Sequence, residues 1–141
     1  STLLHPVVHL HLFNSCGELY LQKRPAWKDI QPGRWDTAVG GHVDWGEEPL
    51  AALRREVREE VGVTDFEPQH VLTYLFESER ERELVYVYKT VYDGPVVPSG
   101  ELDGGRFWTL REIAEGVGGG IFTPNFEGEI RRVAELPDVG R

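Results

Sequence analysis

The sequence predicts an α/β (α+β) fold in which helices pack on a mixed β-sheet. Three observations carry that prediction. Apolar runs with strand character occur in two pairs, each joined by turn chemistry; one helical segment lies between the pairs; and two helix starts with capping signals follow them. A chain of 141 residues falls within the usual size of one domain, taken as residues 1–141.

The opening VVHLHLFN (residues 7–14) alternates partly and reads as a strand. NSCG (14–17) supplies a turn, and ELYLQKR (18–24) returns as the second arm of a hairpin. Residues 25–35, with two prolines and a glycine, read as a loop. From Pro49 the period becomes helical: Leu50, Leu53, Val57 and Val61 make one apolar face, Pro49 suits the first helical position, and Gly62 suits a left-handed stop. Strands follow around 70–77 and 83–92, with SERER (78–82) as the turn between them. After a loop at 93–105 come a short strand at 106–108 and a capping box from Thr109 and Glu112. A glycine loop at 118–120 leads to a last helix opened by Thr123-Pro124 and running to about Glu135.

The formal charge of −9 argues against a nucleic-acid polymer as the main partner, because a phosphate backbone needs clustered Lys and Arg. No apolar run approaches the roughly 20 residues of a membrane span. The single cysteine, Cys16, cannot close an internal disulfide, which points to a reducing cytoplasm. The chain begins at Ser1 and lacks methionine, so natural residues are expected before it.

The segment with most chemical content is the helix after Pro49. Glu56, Glu59 and Glu60 crowd three carboxylates over one turn, off the apolar stripe. Neutralisation by Arg54, Arg55 and Arg58 on a solvated face is one reading of the helix alone, and a metal site is the other. From Gly41 to Val63 the chain reads G-x5-E-x7-R-E-V-x-E-E-x-G-V, and this resembles the complete signature of the Nudix hydrolase family.

The resemblance implies a Nudix-type α/β/α sandwich and hydrolysis of a diphosphate linkage in a nucleoside diphosphate derivative or related small molecule. It implies Mg²⁺ or Mn²⁺, hard cations that suit oxygen ligands. Carried over by position, Glu56 and Glu60 are metal ligands, Glu59 is a ligand or the water-activating base, and the Gly40 carbonyl is a further ligand. Glu47 and Arg55 pair to pin the loop to the helix, and Gly41 gives the backbone room beside the metal.

LLH (3–5), LFN (12–14), LQKR (21–24), Lys28, PGRW (32–35) and VGGH (39–42) are also similar to the isopentenyl diphosphate isomerases of the same superfamily. That likeness puts diphosphate contacts on Arg24 and Lys28, and metal-binding groups on His5, His42, Glu81 and Glu83. The isomerase keeps a proton-transferring cysteine where this chain has Gly40, and this chain retains the whole hydrolase signature. Hydrolysis is therefore the expected reaction, with an isomerase-like enzyme and a non-catalytic nucleotide-binding module as alternatives. Arg24, Lys28 and His42 are expected to touch substrate, and Glu81, Glu83 or Glu101 to supply a later-loop base or ligand. Trp27 and Trp45 are stacking candidates, whereas Trp35 and Trp108 read as core. A homodimer paired through strand edges is compatible with this reading.

Overall fold

The structure, a computed structural model, describes residues 3–25, 33–99 and 104–140. Seven strands form one sheet: β1 (Leu4–Phe13), β2 (Leu19–Lys23), β3 (Trp35–Thr37), β4 (Val39–His42), β5 (Gln69–Glu77), β6 (Arg82–Val91) and β7 (Gly105–Trp108). The helices are α1 (Pro49–Val61), α2 (Leu110–Gly116) and α3 (Pro124–Val133). The sheet is mixed as expected, since β1 runs parallel to β6 over ten residues and antiparallel to β2 and β4.

Alternation along β1 builds a core on each face. Val8, Leu10 and Leu12 pack with Ala52, Leu53, Val57 and Val61 of α1. Val7 faces the other way, into a core shared with Ile113 of α2 and Phe126 and Ile130 of α3. The sheet is thus a layer between α1 and the pair α2 and α3. Within α1, Ala52 completes the buried stripe, and Leu50, expected there, is exposed. Pro49 does open α1, and Gly62 ends it at φ 68° with its N–H donating to the Arg58 carbonyl. The capping box forms as read: Thr109 Oγ1 accepts from the Glu112 N–H, and Glu112 accepts from the Thr109 N–H. The last helix stops at Val133, two residues before the expected end.

The first hairpin differs from expectation in extent. Its turn forms, with Asn14 Oδ1 accepting from the Cys16 and Glu18 amides, but β1 and β2 pair only at Phe13 and Leu19. Beyond that point the strands separate. The chain from Trp35 to His42 occupies both sides of the gap: β3 pairs with β2, and after Ala38, β4 pairs with β1. This split in the sheet is what positions the site.

Candidate functional site

In β4, Val8 pairs with Gly41 and His9 with Gly40. Val43 donates to the Pro6 carbonyl, which fixes the alternation of the ladder. Gly40 and His9 therefore form a non-hydrogen-bonded pair, and the Gly40 N–H and C=O both leave the far edge of β4. That edge meets α1, and the Gly40 backbone lies beside the Glu60 carboxyl.

Glu60 is the most perturbed acid on α1. Burial, a hydrogen bond with Glu56 and the charge of Glu56 push its carboxyl up to about 9. Gln22 Nε2 reaches Glu60 Oε1 at 3.4 Å, while Glu60 Oε2 is buried without a hydrogen-bond partner. Glu56 is held from the other side by Arg55 Nη1 at 2.7 Å. Glu59 is exposed, with Arg55 3.6 Å from its carboxylate.

Arg55 ties loop to helix. Its Nε and Nη2 donate to Glu47 at 3.0 Å each, and Nη2 also reaches the His42 carbonyl at 3.0 Å. Glu47 accepts from the Asp44 amide as well, and these bonds hold its carboxyl down to about 2. A Cβ added to Gly41 would fall on the Glu56 carboxyl group. Because Arg55 and Glu60 pin that group, Gly41→Ala is expected to displace it. Activity should then fall by on the order of 10²-fold with a stability loss of about 1–2 kcal/mol, separable by initial rates and urea unfolding.

The remaining expected residues lie at various distances from this centre. His5 and His42 are exposed and meet edge to face, with ring centroids 6.3 Å apart. Glu83 pairs with His5 across β1 and β6. Arg24 is half-buried, 3.6 Å from Asp36, and Asp36 accepts from Thr123 Oγ1. Arg24, Asp36 and exposed Glu81 line a cavity of about 290 Å³ with Phe76, Arg80 and Asn125. Trp45 is fully exposed, and Trp108 is buried edge to face with Trp35. Lys28, Trp27 and Glu101 lie outside the described residues. A larger cavity, about 770 Å³, opens at the Phe13 end of β1, away from Gly40 and Gly41.

Among the described residues no three His, Cys, Asp or Glu side chains converge in metal-binding geometry. The donor set nonetheless fits a hard cation. It offers two carboxylates forced together, one with a buried unpartnered oxygen, beside a strand edge that presents a backbone carbonyl.

One group of residues was not singled out in the sequence. Glu129 of α3 is buried against β1 and β5, and accepts from His9 Nδ1 at 2.9 Å, His11 Nε2 at 2.8 Å and the Tyr74 hydroxyl at 2.6 Å. Burial alone would raise its carboxyl, but the hydrogen bonds and charges of the two histidines hold it below the usual carboxylate range. The half-hidden signal was the alternation of His9 and His11 on one face of the otherwise apolar stretch of β1 from Val7 to Leu12.

Known proteins are similar to this chain in sequence and fold. A family model described as the NUDIX domain matches residues 3–126. An uncharacterized Nudix hydrolase of Pseudomonas aeruginosa is 36% identical over 97 residues, covering 68% of this chain and 57% of that protein. An isopentenyl-diphosphate Delta-isomerase of Serratia proteamaculans is 31% identical over 118 residues, covering 80% of this chain and 64% of that protein. The chain thus spans less than two thirds of the length of either relative. Among solved structures, DR0079 of Deinococcus radiodurans superposes with a TM-score of 0.78 at 25% identity, covering 91% of this chain and 82% of that one. A MutT protein of Methanosarcina mazei gives 0.78 at 24% identity, covering 94% of each, and shares the fold. By its sequence match, its mixed sheet between helices and its intact Gly41–Val63 signature, this chain belongs to the Nudix hydrolase family.

Proposed function

We propose that the chain is a metal-dependent pyrophosphohydrolase that cleaves the diphosphate linkage of a small molecule, a nucleoside diphosphate derivative or a related compound, by attack of water at phosphorus. The observation that carries this reading is the Glu56–Glu60 pair. The two carboxylates lie together at the edge of β4, where burial and the charge of Glu56 raise the Glu60 carboxyl and its buried Oε2 has no hydrogen-bond partner, a donor arrangement that suits a hard cation. Glu56, Glu60 and the Gly40 carbonyl would hold Mg²⁺ or Mn²⁺. When bound, the ion supplies charge neutralisation on the diphosphate and a more acidic water.

The chain's own residues divide the remaining work. Glu59, exposed beside the pair, accepts the proton of the attacking water or adds a ligand. Arg24, steadied near Asp36, and Lys28 bind diphosphate oxygens, and His42 contacts substrate. Glu81, Glu83 and Glu101 are the candidates for a second acidic contribution from outside α1. Arg55, Glu47 and Gly41 shape the loop and keep Glu56 in place.

Incubation with Mg²⁺ or Mn²⁺ and a panel of nucleoside and isoprenoid diphosphates should release phosphate or a monophosphate, read by ³¹P NMR. A fully active Glu56→Gln, Glu60→Gln double variant would sink the proposal. The Serratia relative's name favours a second reading, isomerisation of an isoprenoid diphosphate. Gly40 offers no side chain to move a proton, so no deuterium should enter isopentenyl diphosphate in D₂O; incorporation would reverse the ranking.

A further inference from the structure

We propose that Gln22 is a positioning residue of the cation site, whose side-chain amide takes Glu60 Oε1 and leaves Oε2 as the oxygen offered to the ion. This rests on the reading of Glu56, Glu60 and the Gly40 carbonyl as the place where that ion is held.

Gln22 stands where packing alone would favour an apolar side chain. In β2, Leu19 and Leu21 belong to the core shared with α2 and α3, and Tyr20 belongs to the core under α1. Alternation therefore turns Gln22 to the α1 side, where it is buried. A buried amide costs free energy unless its polar atoms are paired. Gln22 Nε2 lies 3.3 Å from the Ala38 carbonyl and 3.4 Å from Glu60 Oε1. Both partners accept, so the end of the amide that faces them is the nitrogen, which carries two hydrogens. Ala38 is where the chain passes from β3 to β4, so one amide ties β2, that crossing and α1 together.

The backbone of Glu60 is fixed independently. Carbonyls in the last turn of a helix have no helical partner. Here the Glu60 carbonyl accepts from the Ser99 N–H at 2.9 Å, and the Val61 carbonyl accepts from the Val97 N–H at 2.9 Å. What stays free in Glu60 is its side chain, whose carboxyl group can turn and exchange its two oxygens. Donation to Oε1 removes that choice. The other oxygen, Oε2, is buried without a hydrogen-bond partner, and a hard cation is a partner of the right chemistry for it. Arg55 Nη1 holds Glu56 in the same manner, by Oε1 at 2.7 Å. Each acid of the pair is thus gripped by one oxygen from outside.

The site also explains the residue type. A lysine or arginine at position 22 would neutralise Glu60 and compete with the ion for it. A carboxylate would add a third negative charge to two that are already crowded. An apolar chain would give neither the Ala38 carbonyl nor Glu60 Oε1 a donor. A neutral donor long enough to cross from β2 to α1 is the type that remains, and glutamine is that residue. Partners that orient metal ligands in this way from the next layer out commonly set affinity without touching the ion.

The test reads metal affinity, so it does not depend on turnover. Mn²⁺ would be titrated into the full chain and the free ion followed by electron paramagnetic resonance, with urea unfolding in chelator as the measure of structure. Gln22→Met keeps the length of the side chain and removes the donor. Its dissociation constant for Mn²⁺ should rise roughly tenfold, the low end of what such orienting partners contribute, in keeping with the long bond to Glu60. If that variant does not fold, Gln22→Asn, one methylene too short to reach α1, takes its place with the same expected loss. Thr90→Val is the control, because it removes a buried donor to the Glu67 carbonyl at the far end of β6. It should lower stability in chelator and leave the dissociation constant within about twofold of the wild type. Unchanged affinity in the Gln22 variants, or an equal loss in Thr90→Val, overturns the proposal. A wild type that binds no Mn²⁺ overturns it together with the cation site. Absence of hydrolysis with the affinity pattern intact would overturn the pyrophosphohydrolase reading alone.

Discussion

Glu60→Gln should abolish turnover and, in chelator at pH 8, make the protein more stable. The two effects have one cause. In the folded chain Glu60 holds its proton up to about 9, against 4.5 for an unperturbed carboxyl, because burial and the neighbouring Glu56 penalise its charge. A carboxyl whose folded pKa lies above its unfolded value binds the proton more tightly in the native state. Its contribution is therefore full below pH 4.5 and declines as pH rises towards 9. Glutamine mimics the protonated form and carries no such decline. Because Glu56 shares the titration, the gain is set well below the full shift, at about 1–3 kcal/mol, or roughly 3–10 °C in melting temperature. Millimolar Mn²⁺ should stabilise the wild type and leave the variant unmoved, and steady-state rates should fall on the order of 10³-fold. Thermal melts from pH 5 to 9 decide it. A variant whose stability falls in parallel with the wild type removes the basis for the site, and so does one that turns over normally.

The same helix shows why some of this was legible in the chain and some was not. Glu56, Glu59, Glu60, Arg55 and Gly62 declare themselves because helical spacing is a local property, and the residues that share a turn are three and four apart. The Thr109–Glu112 capping box is local for the same reason. The strands β3 and β4 are not local. Trp35–Thr37 and Val39–His42 carry little strand character of their own, and they become strands by pairing with β2 and β1. Nor does the segment announce that Ala38 is the point of transfer between them. Leu50 went astray because period alone gave it to the buried stripe, whereas the start of α1 leaves it in solvent. Glu129 was the least visible, since its two histidine partners lie about 120 residues away and Glu in an exposed-looking amphipathic helix reads as surface.

Removing that carboxylate is the substitution expected to cost most stability. Glu129→Ala leaves His9 Nδ1, His11 Nε2 and the Tyr74 hydroxyl without an acceptor, and two of the three donors belong to side chains on the central strand. Loss of one member of a buried, charge-assisted network costs about 3–5 kcal/mol, which urea unfolding would read directly. The pH dependence gives a finer signature. Glu129 is held below 4.5, so its contribution is present above that pH and is lost as pH falls. For His9, burial opposes the charge, yet the hydrogen bond and charge of Glu129 outweigh it and raise the imidazole above 6.5. That contribution is full below pH 6.5 and is lost as pH rises through the folded value. The pair therefore adds most between about pH 4.5 and 6.5 and less on either side. Glu129→Gln, which keeps the shape and removes the charge, should flatten this maximum. The Tyr74→Phe variant, which removes a neutral donor, should lower stability by about 1 kcal/mol and leave the profile's shape intact. A wild-type profile flat across that window would show that the histidine and the carboxylate do not share a charge, and the three-donor clasp would then owe its strength to neutral hydrogen bonds alone.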